Sequence, residues 1–432
     1  ITTGDNNTAV GNSALGANTT GEENVAVGAN ALAANTTAYS NTAIGSEALA
    51  ANTEGFQNVG VGFSALTTNT TGDKNTAVGI FALRLATTAN DNTAVGWSAA
   101  TANTTGTQNT AVGGNALLTN STANNNTAVG FNALKLTTAG GNTALGQQCL
   151  QDNSSGEANV GIGQNTLAQN TTGSVNLAIG NNAMTANTTG TRNIAIGHTA
   201  YDASDTENDN LAIGYAAMTT NTAGGTANLA IGNYALDALT SGDYNVGVGM
   251  NALSALTTGG YSTALGYDAL SSMTTSGYNV AVGYEAMKQG TTGAHNVAVG
   301  KAALSANNGG AQNTALGHRS METNTSSNDN TAVGYMSLHA NTTGAGNVAV
   351  GRDALLVNST GTENVAVGLN ALKAATTATG NQAFGFKALE TVATGNDNTA
   401  VGAFALQLNT ASNNTAVGYK AMDANTTGAD NV

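Results

Sequence analysis

Metal, phosphate and nucleophile chemistry each need particular side chains at particular spacings, and this chain supplies few such sets. Its four histidines are scattered from His198 to His339. His198 and His318 fall in the same slot of a repeat described below, but seven rungs at about 4.8 Å each would hold them roughly 34 Å apart. They cannot share a metal ion. No Gly-Lys-[Ser/Thr] occurs, so the glycine-rich turns lack the lysine of a phosphate-binding loop. Aspartate is sporadic, unlike the fixed aspartate of calcium-binding solenoid repeats. The single cysteine, Cys149, excludes an internal disulfide, and it occupies a slot that is otherwise almost always alanine. It reads as a small buried apolar side chain. Catalytic, cofactor and metal residues are all expected to be absent, and the chain is not expected to be an enzyme.

One variable slot does stand out. Phe63, Trp97, Phe131, Tyr215, Tyr267, Tyr284, Tyr335, Phe386 and Tyr419 all follow directly after an invariant glycine and account for nine of the chain's 19 aromatics. An exposed ladder of rings would stack on sugars or on another surface. The same residues would equally pack across a seam between associated chains, which is the preferred expectation. A row at Thr8, Thr42 and Thr76 invites comparison with ice-binding lattices, but Val, Leu or Ile interrupts it in many repeats. Asn18-Thr19-Thr20 and Asn35-Thr36-Thr37 match the N-glycosylation sequon, although in this setting they more simply supply turns.

The element that positions these residues is a short repeat. The unit Asn7-Thr8-Ala9-Val10-Gly11-Asn12-Ser13-Ala14-Leu15 recurs at Asn24, Asn41, Asn58 and onward to Asn414, giving 25 complete copies. Of these, 22 are 17 residues long, two are 16 and one is 18. Slots are numbered from that asparagine. Slot 3 is Ala or Gly, slot 4 is Val, Ile or Leu apart from Phe384, and slot 5 is Gly in all 25 copies. Slot 8 is mostly Ala, and slot 9 is Leu or Met except at Ala100 and Tyr201.

Seventeen residues are too few for two helices with their turns, and a glycine interrupts the most regular part of each copy. One winding of a parallel β-solenoid fits. The x-Ala-Val-Gly segment forms a first strand with alternating faces, and a shorter second strand carries Ala14 and Leu15. Asn18-Thr19-Thr20-Gly21 provides turn chemistry. Asn7 and its equivalents at slot 1 are expected to form a side-chain amide ladder. At about 4.8 Å per rung the copies would make a single continuous coil over residues 1–432, a rod of roughly 120 Å.

Composition agrees with a coil and disagrees with an ordinary core. Aromatics are 4% and charged residues 8% of the 432 residues, with 56 glycines. The net charge of −14 is spread thinly and lacks the basic clusters that nucleic acid demands. No stretch of 18 apolar residues and no signal-peptide pattern occurs, so membrane insertion by this segment is not expected. Disorder would not preserve residue types slot by slot.

Oligomeric state follows from side-chain size. Each rung offers about one Val and one Leu, worth ~1.5–3 kcal/mol each when fully buried, against on the order of 1–2 kcal/mol of backbone entropy per ordered residue. An isolated coil therefore looks thin. One strand face holds only Ala and Gly, which suggests close approach of another backbone. A parallel homotrimer is expected to meet through that face, with a monomeric solenoid as the alternative.

Asn24-Val25-Ala26-Val27-Gly28 and Asn193-Ile194-Ala195-Ile196-Gly197 resemble the strands in the heads of trimeric autotransporter adhesins, whose repeat is shorter. Asn347-Val348-Ala349-Val350-Gly351 through Thr360-Gly361 is similar to repeats of phage and bacterial tail-fibre-like proteins. The resemblance implies a trimeric, extracellular, cell-surface or virion fibre. Because both ends fall mid-repeat, the chain is expected to be a segment of a longer shaft that presents an adhesive or receptor-binding tip. Its partners would be itself, other fibres in bundles, and host or cell-surface glycans if the shaft surface is adhesive.

Overall fold

The computed structural model describes residues 3–221 and 224–432, which carry 25 three-residue strands and no helix. The chain divides into two compact units, Ile1–Asn210 and Leu211–Val432. The first contains β1 (Thr8–Val10) to β12 (Ile194–Ile196), and the second β13 (Leu211–Ile213) to β25 (Thr415–Val417). Each unit is an all-β parallel solenoid that winds once per copy of the repeat. In the first, Thr8, Ala9 and Val10 lie opposite Val25, Ala26 and Val27. In the second, Val280, Ala281 and Val282 lie opposite Val297, Ala298 and Val299.

Alternation along each strand sends slot 3 inward and slots 2 and 4 outward. Ala26, Ala43 and their equivalents are fully buried, together with the slot 8 alanines and slot 9 leucines such as Ala31 and Leu32. Slot 4 is exposed or half-buried throughout, as at Ile44 and Leu265. This corrects the expected role of the alanine face. Its small side chains line the interior, where the backbone that approaches closely is the far wall of the same coil. The valines counted as buried are instead a row on the outer surface.

The expected second strand does not form. Slots 5 to 11 make a continuous turn, and the reason lies in their dihedrals. Gly at slot 5 has φ between 129° and 142° in all 25 rungs, a region practically closed to side-chain-bearing residues. A Cβ on Gly28 would sit 2.5 Å from the carbonyl oxygen of Gly45 on the next rung. Slot 9 then adopts φ of 46° to 56° in every rung, and slot 7 is also left-handed, as at Asn30 with 57°. Left-handed backbone is a serious outlier for β-branched residues, which explains why slot 9 never holds Val or Ile although it is buried and apolar. The turn still bonds rung to rung: Leu32 N–H donates to Ala48 O at 3.0 Å and Ala34 N–H to Ala50 O at 3.0 Å.

Two buried asparagine columns fix the winding. At slot 1, Asn24 N–H donates to Asn7 Oδ1 at 2.9 Å while Asn24 Nδ2 donates to Ala38 O at 2.9 Å. This column therefore couples side chain to backbone, with amide-to-amide bonds added at some rungs, such as Asn75 to Asn58 at 3.1 Å. A second set of amide-to-amide bonds runs along slot 12 where asparagine follows asparagine, as Asn35 Nδ2 donates to Asn18 Oδ1 at 2.9 Å and to Ala38 O at 3.1 Å, and it breaks where other residues such as Ala86 and Leu239 take the slot. Those asparagines belong to the sequon matches, and their burial removes them from any glycosylating enzyme once the coil is folded.

Candidate functional site: the aromatic columns

The nine slot 6 aromatics all lie on the outer surface of the chain, from 38% exposed at Phe386 to 70% at Tyr419. Slot 6 follows the glycine that turns the chain away from the outer strand face, so its side chain projects beside the slot 4 row. Tyr267 and Tyr284 stack with centroids 5.3 Å apart and planes 11° apart. His318 and Tyr335 stack at 5.2 Å and 6°. Cations continue the column, with Lys301 Nζ 5.7 Å from the Tyr284 centroid and Arg352 Cζ 5.6 Å from that of Tyr335. Residues 267, 284 and 301 thus form one run of contacting slot 6 side chains, and residues 318, 335 and 352 a second, on six successive rungs of the second unit.

Slot 7 supplies ring partners that the slot 6 pattern did not include. Phe81 meets Phe63 edge-on at 5.6 Å, Tyr234 meets Tyr215 at 5.4 Å, and Phe404 meets Phe386 at 5.1 Å and Tyr419 at 6.0 Å. Phe131 lies over Gly114, where an added Cβ would stand 3.3 Å from its ring. Trp97 is 57% exposed.

A second column was missed. Tyr244, Tyr261, Tyr278 and His295 occupy slot 17 of four successive rungs and stack at 5.1 Å each, with planes 23°, 5° and 15° apart. Tyr39 and Phe56 do the same at slot 16, at 5.1 Å and 4°. The signal was present in the sequence, since these residues keep the 17-residue spacing through the turn.

Stacking decides what the columns can offer. A sugar ring packs against an open aromatic face, whereas rings piled along the coil cover one another's faces and turn their edges and hydroxyls outward. Within the stacked columns only the terminal faces remain open to such a ligand, whereas the edge-on pairs and the unstacked rings of Trp97 and Phe131, 57% and 51% exposed, offer more open aromatic surface.

Some charged groups pair with neighbours, and others among the described residues are half-buried without an ion pair. Lys288 sits 2.8 Å from Glu285 and 2.9 Å from Asp268, and both hydrogen bonds push its ammonium above the usual lysine range. Arg192 and Asp209 pair at 2.6 Å, which holds the carboxyl of Asp209 below its ordinary value. Half-buried Asp202 and Asp237 are shifted the other way, upward, chiefly by desolvation. Cys149 is fully buried and its thiol is pushed up to about 12, with desolvation outweighing a backbone hydrogen bond from Leu145.

Among the described residues no group of three or more His, Cys, Asp or Glu side chains is placed to hold a metal ion. The histidines are separate: His295 stacks on Tyr278, His318 on Tyr335, and His339 Nε2 lies 2.7 Å from Glu322 Oε2. A shallow open depression lined by Asn124, Asn125, Thr138, Gly141 and Glu157 marks the place where a 16-residue copy shortens the turn. Among the described residues no helix is long and apolar enough to cross a membrane.

Fold and surface together define a β-solenoid repeat protein carrying aromatic columns in register with its rungs. No protein-family model matches the chain, and no curated protein matches it.

Proposed function

We propose that the chain is a structural shaft of an extracellular or virion fibre, without enzymatic activity of its own, that presents an adhesive or receptor-binding tip. The observation that carries this reading is the uniformity of the rung. Slots 1, 3, 5, 8 and 9 keep their side chains and hydrogen bonds copy after copy, whereas a binding or catalytic centre would set a few rungs apart from the rest. The shaft works as a parallel homotrimer. Support comes from the outer face of each unit, where half-buried and exposed apolar side chains at slot 4, such as Ile44 and Leu265, lie on the surface together with exposed slot 6 rings such as Phe63 and Tyr267. Sedimentation equilibrium of the chain should return three times the monomer mass. A folded monomer at micromolar concentration would overturn the trimer.

The exposed aromatics favour a second reading, an adhesin whose shaft itself binds glycans or neighbouring fibres. Glycan-array binding by this chain that is lost in a Trp97→Ser, Phe131→Ser variant with unchanged melting would favour adhesion. Absence of binding by the folded chain leaves the shaft.

A further inference from the structure

We propose that the slot 17 column is an oxidative cross-linking site, at which a peroxidase with hydrogen peroxide joins tyrosines of successive rungs into dityrosine. Tyr244, Tyr261 and Tyr278 are 54% to 55% exposed, so an oxidant reaches the phenols and the rings have room to hinge outward. Parallel stacking at 5.1 Å places the ortho carbons of neighbouring rings side by side instead of leaving encounter to diffusion. Each ring stands on a left-handed residue, with φ of 56°, 59° and 61°, locked by the rung hydrogen bonds of Tyr261 N–H to Asp243 O and Tyr278 N–H to Gly260 O. The backbone therefore presents the same register at every rung.

The chemistry balances. Each phenol gives up one electron and its hydroxyl proton to become a tyrosyl radical, and two radicals couple through their ortho carbons. Each coupled ring then moves its ortho hydrogen to the phenolic oxygen and regains aromaticity. Two electrons and two protons leave the pair, and hydrogen peroxide takes them up to form two waters. The new bond closes a loop of one winding and ties adjacent rungs covalently. Tyr267 and Tyr284, stacked at slot 6, form a second pair of the same kind.

The test uses the folded chain, refolded from a mixture of heavy- and light-nitrogen material and treated with a haem peroxidase and hydrogen peroxide. Cleavage before aspartate separates Tyr261, in peptide 243–267, from Tyr278, in peptide 268–328. The expected product joins these peptides with loss of two hydrogens, pairs heavy only with heavy and light only with light, and shows dityrosine fluorescence. Tyr267→Phe should leave this product, and the Tyr261→Phe, Tyr267→Phe double variant should lose it. The proposal is overturned if the joined peptides are absent, if heavy pairs with light at random, or if the urea-unfolded chain gives the same yield.

Discussion

At the residue scale, neighbouring rungs compensate one another. Cys149 is larger than the alanine usual at slot 8, and the facing slot 3 residue on the next rung is Gly161, where a Cβ would lie 2.4 Å from the cysteine sulfur. Gly161→Ala should therefore cost about 1–3 kcal/mol by overpacking, and adding Cys149→Ala should return the melting temperature towards wild type. The slot 12 ladder gives the opposite case. Asn69, Asn120, Asn187 and Asn358 each keep a buried Oδ1 with no hydrogen-bond partner, and each is followed one rung on by Ala86, Thr137, Ser204 or Ala375 in place of asparagine. Ala86→Asn should supply the missing donor to Asn69 and raise stability by about 1 kcal/mol, read from denaturant unfolding. Charge gives a third expectation. Burial raises the folded-state pKa of Asp237, so the folded chain binds more protons than the unfolded chain above the ordinary aspartate value of about 3.9, and stability falls as pH rises through that range. Asp237→Asn should raise the melting temperature at neutral pH and change it little at pH 3, where both states of the wild type are largely protonated.

At the scale of the element, the rung is held by backbone signs as much as by apolar burial. Leu304 is fully buried with φ of 52°. Exchange to Met suits both its volume and its dihedral, so Leu304→Met should cost less than about 1.5 kcal/mol. Leu304→Ile keeps the volume but adds left-handed strain of about 1–3 kcal/mol, an ordering that thermal melts of the two variants will check. The strand was legible because alternation and Gly at slot 5 recur without exception. Which face lies inside was not, since alternation names two faces without ranking them, and the narrow bore is what selects Ala9-type residues over Val10-type residues for the interior. Slots 8 and 9 read as strand because Ala14-Leu15 is apolar, yet they lie in the turn; the absence of β-branched residues at slot 9 is the cue. Slot 6 could be found by counting residue types. Its ring partners at slot 7 and the stacked Tyr244, Tyr261 and Tyr278 depend on how the turn folds the chain, which spacing alone describes only after the turn is known.

At the scale of the whole molecule, one register governs both units. Each pairs like slot with like slot between adjacent rungs, as Thr314 with Thr331 and Ala315 with Ala332. Removing residues 297–313 joins Asn296 to Thr314 and restores every slot relation, so that variant should fold with an unchanged melting profile. Removing residues 297–310 instead shifts the slots and should expose the coil to protease at the junction; limited proteolysis of both variants will separate these outcomes.

The slot 1 bond from one rung's amide to the preceding rung's asparagine has a genetic consequence. Because each winding answers only its immediate neighbours, unequal recombination between copies that inserts or drops whole units produces a working protein at once, without compensating substitutions. The number of windings is therefore a quantity that lineages can retune in single steps, and related genes should differ in tandem copy number far more freely than in the residues of any one copy.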